Sequence, residues 1–286
     1  MTKKGYFFFV LLFYTDCMKN KFALFIKFLA FSLLFFLLSR ASLQGVVFPF
    51  AYGMLFALAW ANQKIWLLAP AYLLGSLANN FSFEGFIIAI STLSLLAIPY
   101  YIHIAVKKPM KKWELFVLAA ISQVGYLVFA IISSTSPILI AVHFVFGLCV
   151  MWLEVLLFEA LIVRGLSYKL TITEMVAAGM ILMFIACGLE SCSIYGFSLL
   201  KMFVAFLILT ISHISSPSNT MIFSSLMGIG GMIGSGNPLY IAPFMLYALA
   251  VIIFKKSNKN FSSIAIVLVE VLSTYYLGGG SEGGTN

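Results

Sequence analysis

The chain has 286 residues, of which 63% are hydrophobic and 9% are charged, and its mean hydropathy is +1.09. Soluble domains have about 45–50% apolar and about 25% charged residues, so this composition excludes a water-soluble globular protein and indicates a lipid bilayer as the solvent. The net charge of +8 does not indicate nucleic-acid binding, because the lysines lie in short turns between apolar runs, where they set membrane orientation.

The first 21 residues precede the first long apolar run and are predicted to form a cytoplasmic N-terminal tail. Within this tail, the apolar stretch 6–14 is too short to span a hydrocarbon core of about 30 Å, and no small-residue cleavage site of a secretory signal follows it. We therefore interpret the tail either as an interfacial helix or as the result of a misassigned start.

About eleven apolar runs follow, separated by short turns. They cover residues 22–39, 45–60, 65–78, 86–106, 115–132, 137–163, 175–188, 197–214, 221–234, 239–254 and 262–277. A straight transmembrane helix needs about 20 residues, and several runs are shorter; one of these contains Pro70 and Gly75 and fits a re-entrant segment. The sequence predicts an all-α fold, a polytopic transmembrane helix bundle of about nine to eleven spans, as one domain over residues 22–277.

Positive charge is unevenly distributed between the two sides that these runs define. If every run crosses the bilayer, the basic turns at 107–112 and 255–259 lie on the side of the N-terminus, whereas Arg40 and Lys201 lie on the other. The positive-inside rule then predicts a multipass plasma-membrane protein with a cytoplasmic N-terminus. The glycine-rich residues 278–286 are predicted to be an extracytoplasmic tail, typical of a loop whose next helix is missing.

Ionisable groups inside the spans are the first candidates for a function. Glu154 and Glu270 are both predicted to lie deep in a span, either as a proton or cation site or as groups that bond to a neighbouring helix. Arg40 is the only charge in the first extracytoplasmic turn. We expect it either to cap the helix that precedes it or to form an ion pair with Glu190 or Glu84.

Glycine and proline residues mark packing and helix starts. Gly230 and Gly234 form a GxxxG pattern inside an apolar run, which predicts close helix packing; a nucleotide-binding loop would need a preceding strand. Pro49 is predicted to lie at the start of the helix in the second run.

We recognise no catalytic, cofactor or metal site in the sequence. HExxH, GxSxG and P-loop motifs are absent, Asp16 is the only aspartate, and the four cysteines lack metal-ligand spacing. Cys187 and Cys192 fit either a disulfide near one membrane face or two thiols used as small apolar residues. His143 is predicted to lie inside a span, where a lone histidine indicates a packing or hydrogen-bonding role.

Several short motifs together resemble one known family. The run Arg40-Ala41-Ser42-Leu43, followed after five residues by Pro49-Phe50-Ala51, resembles the start of the membrane region of the stage II sporulation protein E family. The similarity covers most of residues 22–286 in order and spacing. It continues in the Leu-Thr-Ile-Thr-Glu-Met segment at 170–175, in Gly-Ser-Gly-Asn at 234–237, in the basic turn 255–259 and in the glycine-rich loop after it.

The resemblance implies an oligomerising membrane anchor that is placed at the asymmetric septum. In that family the anchor carries a cytoplasmic manganese-dependent serine phosphatase and meets a tubulin-like division protein. The phosphatase needs a cluster of aspartates, and this chain has Asp16 alone, so we expect a non-catalytic membrane domain that ends before the phosphatase and holds no manganese. The alternative function is a small multipass proton- or cation-coupled transporter that uses Glu154 and Glu270.

Overall fold

The computed structural model describes residues 21–42, 50–60, 68–78, 83–106, 111–160, 171–190, 192–195, 197–255 and 259–278. The described chain is a bundle of α-helices, which confirms the predicted all-α fold. Its helices are α1 (Lys21–Arg40), α2 (Tyr52–Trp60), α3 (Ala69–Ala78), α4 (Phe83–Val106), α5 (Lys112–Ser122), α6 (Val124–Ile132), α7 (Pro137–Glu159), α8 (Ile172–Glu190), α9 (Leu199–Ile214), α10 (Pro217–Ser235), α11 (Ile241–Phe254) and α12 (Lys259–Ser273).

Short elements other than α-helices also occur among the described residues. The strands β1 (Ser193–Ile194) and β2 (Phe197–Ser198) pair antiparallel between α8 and α9, and a 3₁₀ turn at Pro238–Tyr240 precedes α11. Residues 197–198 belong to an apolar run that was predicted to be helical, so the strand β2 was not predicted. Helix α9 begins only after the hairpin, at Leu199, because the Ser198 hydroxyl accepts a hydrogen bond from the Lys201 N–H and caps the helix there.

Among the described residues, four segments are long and apolar enough to cross a membrane, by length and composition. They are Phe86–His103, Trp113–Ile132, Pro137–Glu159 and Ile172–Glu190, and five shorter apolar helices accompany them. The predicted count of nine to eleven spans and the cytoplasmic N-terminus remain predictions.

Serine and threonine side chains set several helix starts. Ser136 and Ser216 each cap a helix that has proline at its first position, and their hydroxyls accept from the N–H groups of Leu139 and Asn219. At the start of α8, the Glu174 carboxylate accepts from the Thr171 N–H at 2.7 Å, and the Glu174 N–H donates back to the threonine hydroxyl.

Helix α8 lies at the centre of the bundle. It is the most deeply buried of the four long apolar segments, and it packs against α1, α7, α9 and α10. Aromatic rings join its core to its neighbours: the Phe184 ring centroid lies 4.7 Å from that of Phe50 and 6.4 Å from that of Phe146. The remaining helices pack around this centre, with α2 on α7, α3 on α1 and α12 on α11.

The run 115–132 forms two successive helices, and the backbone hydrogen bonds from Gln123 to Ala119 and from Leu127 to Gln123 continue between them. Helix α5 ends at Ser122 and α6 begins at Val124, with Gln123 between them. Other predicted features, namely the N-terminal tail over residues 1–20, Pro49 and the tail after Gly278, lie outside the described residues.

Candidate functional site

Polar side chains gather at one end of the bundle. We call this region the charged end and define it by Arg40, Glu190, Lys201, Tyr240 and Glu270. These residues lie close to the end of α1, the end of α8, the start of α9, the start of α11 and the end of α12. The alternating direction of the helices brings these five termini together.

At the opposite end of the bundle, the ends of α9 and α11 also lie close together. There the Lys255 ammonium donates to the carbonyl oxygen of Ser215 at 3.3 Å. Lys255 follows α11 and Ser215 follows α9, so the two helices run side by side in the same direction from the charged end.

Glu270 is held by three side chains at the charged end. The Lys201 ammonium lies 2.7 Å from its Oε1 atom, the Tyr247 hydroxyl donates to Oε2, and the Thr274 hydroxyl lies 3.3 Å from Oε1. The carboxylate therefore links α9, α11 and the last turn after α12. About a third of the Glu270 side chain is exposed, and its predicted position deep in a span stays a prediction.

The charges of Arg40 and Glu190 both act on the Cys192 thiol. Burial raises the pKa of Cys192, the Arg40 charge lowers it, and the Glu190 charge raises it. Glu190 also accepts a hydrogen bond from the Tyr240 hydroxyl at 3.0 Å, which ties the end of α8 to the turn before α11. Both expectations for Arg40, a helix cap and an ion pair, stay predictions.

Cys187 and Cys192 are both free thiols in the structure. The Cys187 thiol donates to the carbonyl oxygen of Ser42 at 3.3 Å and so joins α8 to the residues after α1. The Cys192 thiol lies 3.8 Å from the carbonyl oxygen of Gly188.

Glu154 lies fully buried against the beginning of a short helix. Its Oε2 atom accepts the N–H of Met54 at 3.0 Å, and the N–H of Gly53 also contributes. Free N–H groups and the positive end of the helix dipole favour a carboxyl group at this position. Oε1 has no hydrogen-bond partner among the described residues.

Gly53 makes this contact possible. A Cβ atom on Gly53 would collide with the Glu154 side chain and would lie 2.7 Å from the Cα atom of Met151. Gly53 was not among the predicted site residues. The available signal was a glycine inside an apolar helical run, where small residues allow helices to approach closely.

The two glycines of the GxxxG pattern lie between α10 and α8. A Cβ atom on Gly230 would lie 2.8 Å from that of Ala186, and one on Gly234 would lie 2.9 Å from the carbonyl oxygen of Cys187. The structure thus places both glycines in tight helix packing.

The partners Tyr240 and Tyr247 were also missed. Their hydroxyls donate hydrogen bonds to the carboxylates of Glu190 and Glu270, which are 50 and 23 residues away in sequence. No local sequence pattern predicts contacts over such separations. Within the described ranges, no group of three or more His, Cys, Asp or Glu side chains could hold a metal ion.

Comparison with known proteins adds no relative: no family model, no curated protein and no solved structure matches this chain. Fold and site together define an all-α helical bundle whose long apolar helices are compatible with a membrane and whose polar groups connect helices at one end.

Proposed function

We propose that this chain is the membrane-anchoring, oligomerising and septum-localising domain of a sporulation phosphatase of the stage II sporulation protein E type. The proposal places it in the plasma membrane as a homo-oligomer that meets a tubulin-like division protein at the polar septum. It performs no phosphatase chemistry of its own, because Asp16 alone cannot form the aspartate cluster that manganese requires.

The observation that carries this proposal is that each candidate acid is engaged by a group on another element of the bundle. Glu154 accepts a backbone hydrogen bond from α2, Glu190 accepts from Tyr240, and Glu270 pairs with Lys201. Hydrogen bonds between the helices of a membrane bundle contribute about 0.6 kcal/mol each on average and up to about 1.7 kcal/mol. These contacts suit a rigid anchor, whereas an acid that moves ions must exchange its partners in every cycle.

The placement of the resembling motifs is a second support. Arg40 ends α1, Thr171 and Glu174 begin α8, and Gly236 ends α10 in the left-handed conformation with φ +71°. Helix boundaries determine the length and order of spans. Motifs at these boundaries therefore favour an arrangement of helices shared with the family that the motifs resemble.

Fluorescence microscopy in a sporulating bacterium tests the proposal. The chain is fused to a fluorescent protein and expressed together with a second copy that carries an affinity tag. We expect fluorescence to gather at the asymmetric septum and the fusion to co-purify with the tagged copy in mild detergent. An unrelated multipass protein of similar size is the control. Uniform fluorescence around the cell would overturn the proposal.

Proton- or cation-coupled transport is the second candidate, and one observation favours it. Glu154 of α7 is fully buried, and its carboxyl group contacts the start of the short helix α2. One of its carboxyl oxygens has no hydrogen-bond partner among the described residues. Broken helices whose N-termini face a polar site near the middle of the bilayer are typical of transporters. Transport predicts an ion flux that is lost in Glu154→Gln.

A further inference from the structure

A second polar region lies away from every acid discussed above. It is centred on Gln123, the residue that separates α5 from α6 at the middle of the apolar segment Trp113–Ile132. A glutamine at this depth is costly in a membrane unless its amide is hydrogen-bonded, since hydrocarbon offers no partner.

The polar atoms of this region are buried and lack protein partners. Gln123 is 2% exposed and Tyr126 is 4% exposed. The amide nitrogen and oxygen of Gln123 and the hydroxyl of Tyr126 make no hydrogen bond within the described part of the chain. Three unpartnered polar atoms on adjacent turns of one helical segment indicate a bound hydrogen-bonding molecule.

Helix α7 forms the opposite wall. Gly147 faces the Gln123 amide, and a Cβ atom there would lie 3.2 Å from both of its polar atoms. One turn away, the His143 ring stacks on the Tyr126 ring with centroids 3.5 Å apart and planes at 11°. Gln123 and Tyr126 share one helix face because they are three residues apart, and His143 and Gly147 share one because they are four apart. These two faces pack against each other.

We propose that Gln123 and Tyr126, against the wall of His143 and Gly147, form an internal site that holds water inside the bundle. Water is the occupant that fits, because the site combines an amide donor, an amide acceptor and a hydroxyl that can do either. Buried waters make about three hydrogen bonds to groups that otherwise have none.

The neighbouring residues favour a neutral occupant. Along the two walls, the closest charged side chains are Glu114, nine residues before Gln123, and Glu154, seven residues after Gly147. At a rise of about 1.5 Å per residue these acids lie roughly 10 Å or more along the helix axes, so neither balances an ion in the site.

An infrared probe tests the site directly. Replacing Tyr126 by p-cyanophenylalanine puts a nitrile at the position of the hydroxyl, and the nitrile stretch moves to higher frequency when water hydrogen-bonds to it. The same probe at Phe184, which is fully buried against the rings of Phe50 and Phe146, is the dry control. At Tyr195, which is 98% exposed, it is the wet reference. We expect the band at position 126 to shift from that of position 184 toward that of position 195. A band that matches position 184 would overturn the proposal.

Thermal unfolding of Gln123→Leu gives an independent result that does not depend on the probe. If water satisfies the amide, the variant loses those hydrogen bonds and its Tm falls below that of the parent. If the amide is buried without any partner, removing it relieves a desolvation cost and Tm rises. A raised Tm would therefore contradict the water site, even if the nitrile variant fails to fold.

Discussion

The Lys201 ammonium and the Glu270 carboxylate lie 2.7 Å apart, although 69 residues separate them in the chain. The pair connects α9 to α12, and the Tyr247 hydroxyl of α11 donates to the same carboxylate. Three helices thus meet at one acid, which makes Glu270 a connecting residue of the charged end.

Breaking this pair should destabilise the bundle modestly. About a third of each side chain is exposed, so Lys201→Met or Glu270→Gln should each cost about 1 kcal/mol or less. In detergent this corresponds to a fall in Tm of roughly 2–4 °C. The exchanged pair Lys201→Glu with Glu270→Lys should recover part of the loss. A double variant no more stable than the sum of its single changes would show that the pair contributes nothing.

Gly53→Ala should cost much more than a matched change elsewhere. A methyl group at Gly53 meets Glu154 and the α7 backbone, and overpacking of this kind costs about 1–3 kcal/mol. Gly179→Ala is the control, because among the described residues a Cβ atom there would meet the Cδ1 atom of Leu226 at 3.0 Å, which can rotate away. Thermal unfolding followed by size-exclusion chromatography distinguishes the two. Equal Tm values would mean that α2 does not lie against Glu154 as described.

The charges around Cys192 should control its reactivity. Arg40 lowers the pKa of this thiol and Glu190 raises it, while burial keeps the pKa above its ordinary value. Only the thiolate is alkylated, so at pH 8 Arg40→Ala should slow alkylation and Glu190→Gln should accelerate it. We expect changes of roughly two- to fivefold for a partly exposed group. The measurement uses a chain in which the other three cysteines are replaced. Rates that move in the same direction in both variants would contradict the arrangement.

The sequence predicted the helices better than it predicted the contacts between them. The apolar run predicted from residue 175 begins earlier in the structure, at Ile172, because Thr171 and Glu174 cap α8. The GxxxG glycines indicated packing, because small-residue spacing is a local signal. The division of the run 115–132 at Gln123 was not predicted, although Ser122, Gln123 and Gly125 interrupt its apolar residues there. The contact of Glu154 with Met54 spans 100 residues and depends on tertiary packing alone.

Thiol labelling in intact cells should reveal the orientation of the bundle. Tyr195→Cys lies in the hairpin at the charged end, and Lys255→Cys lies at the other end of α9 and α11. In a cysteine-free background, an impermeant maleimide should label position 195 from outside and position 255 only after lysis. Labelling of 255 alone from outside would reverse the predicted topology.

Ion flux across reconstituted vesicles measures most directly whether the buried acids connect helices or move ions. Proteoliposomes that contain a pH-sensitive dye are exposed to a proton gradient, with valinomycin and potassium to balance charge. If Glu154 holds α2 to α7 as a structural contact, the parent chain and Glu154→Gln should both show the leak of vesicles without protein. A proton flux above that leak in the parent, lost in Glu154→Gln, would contradict the anchoring role and establish transport.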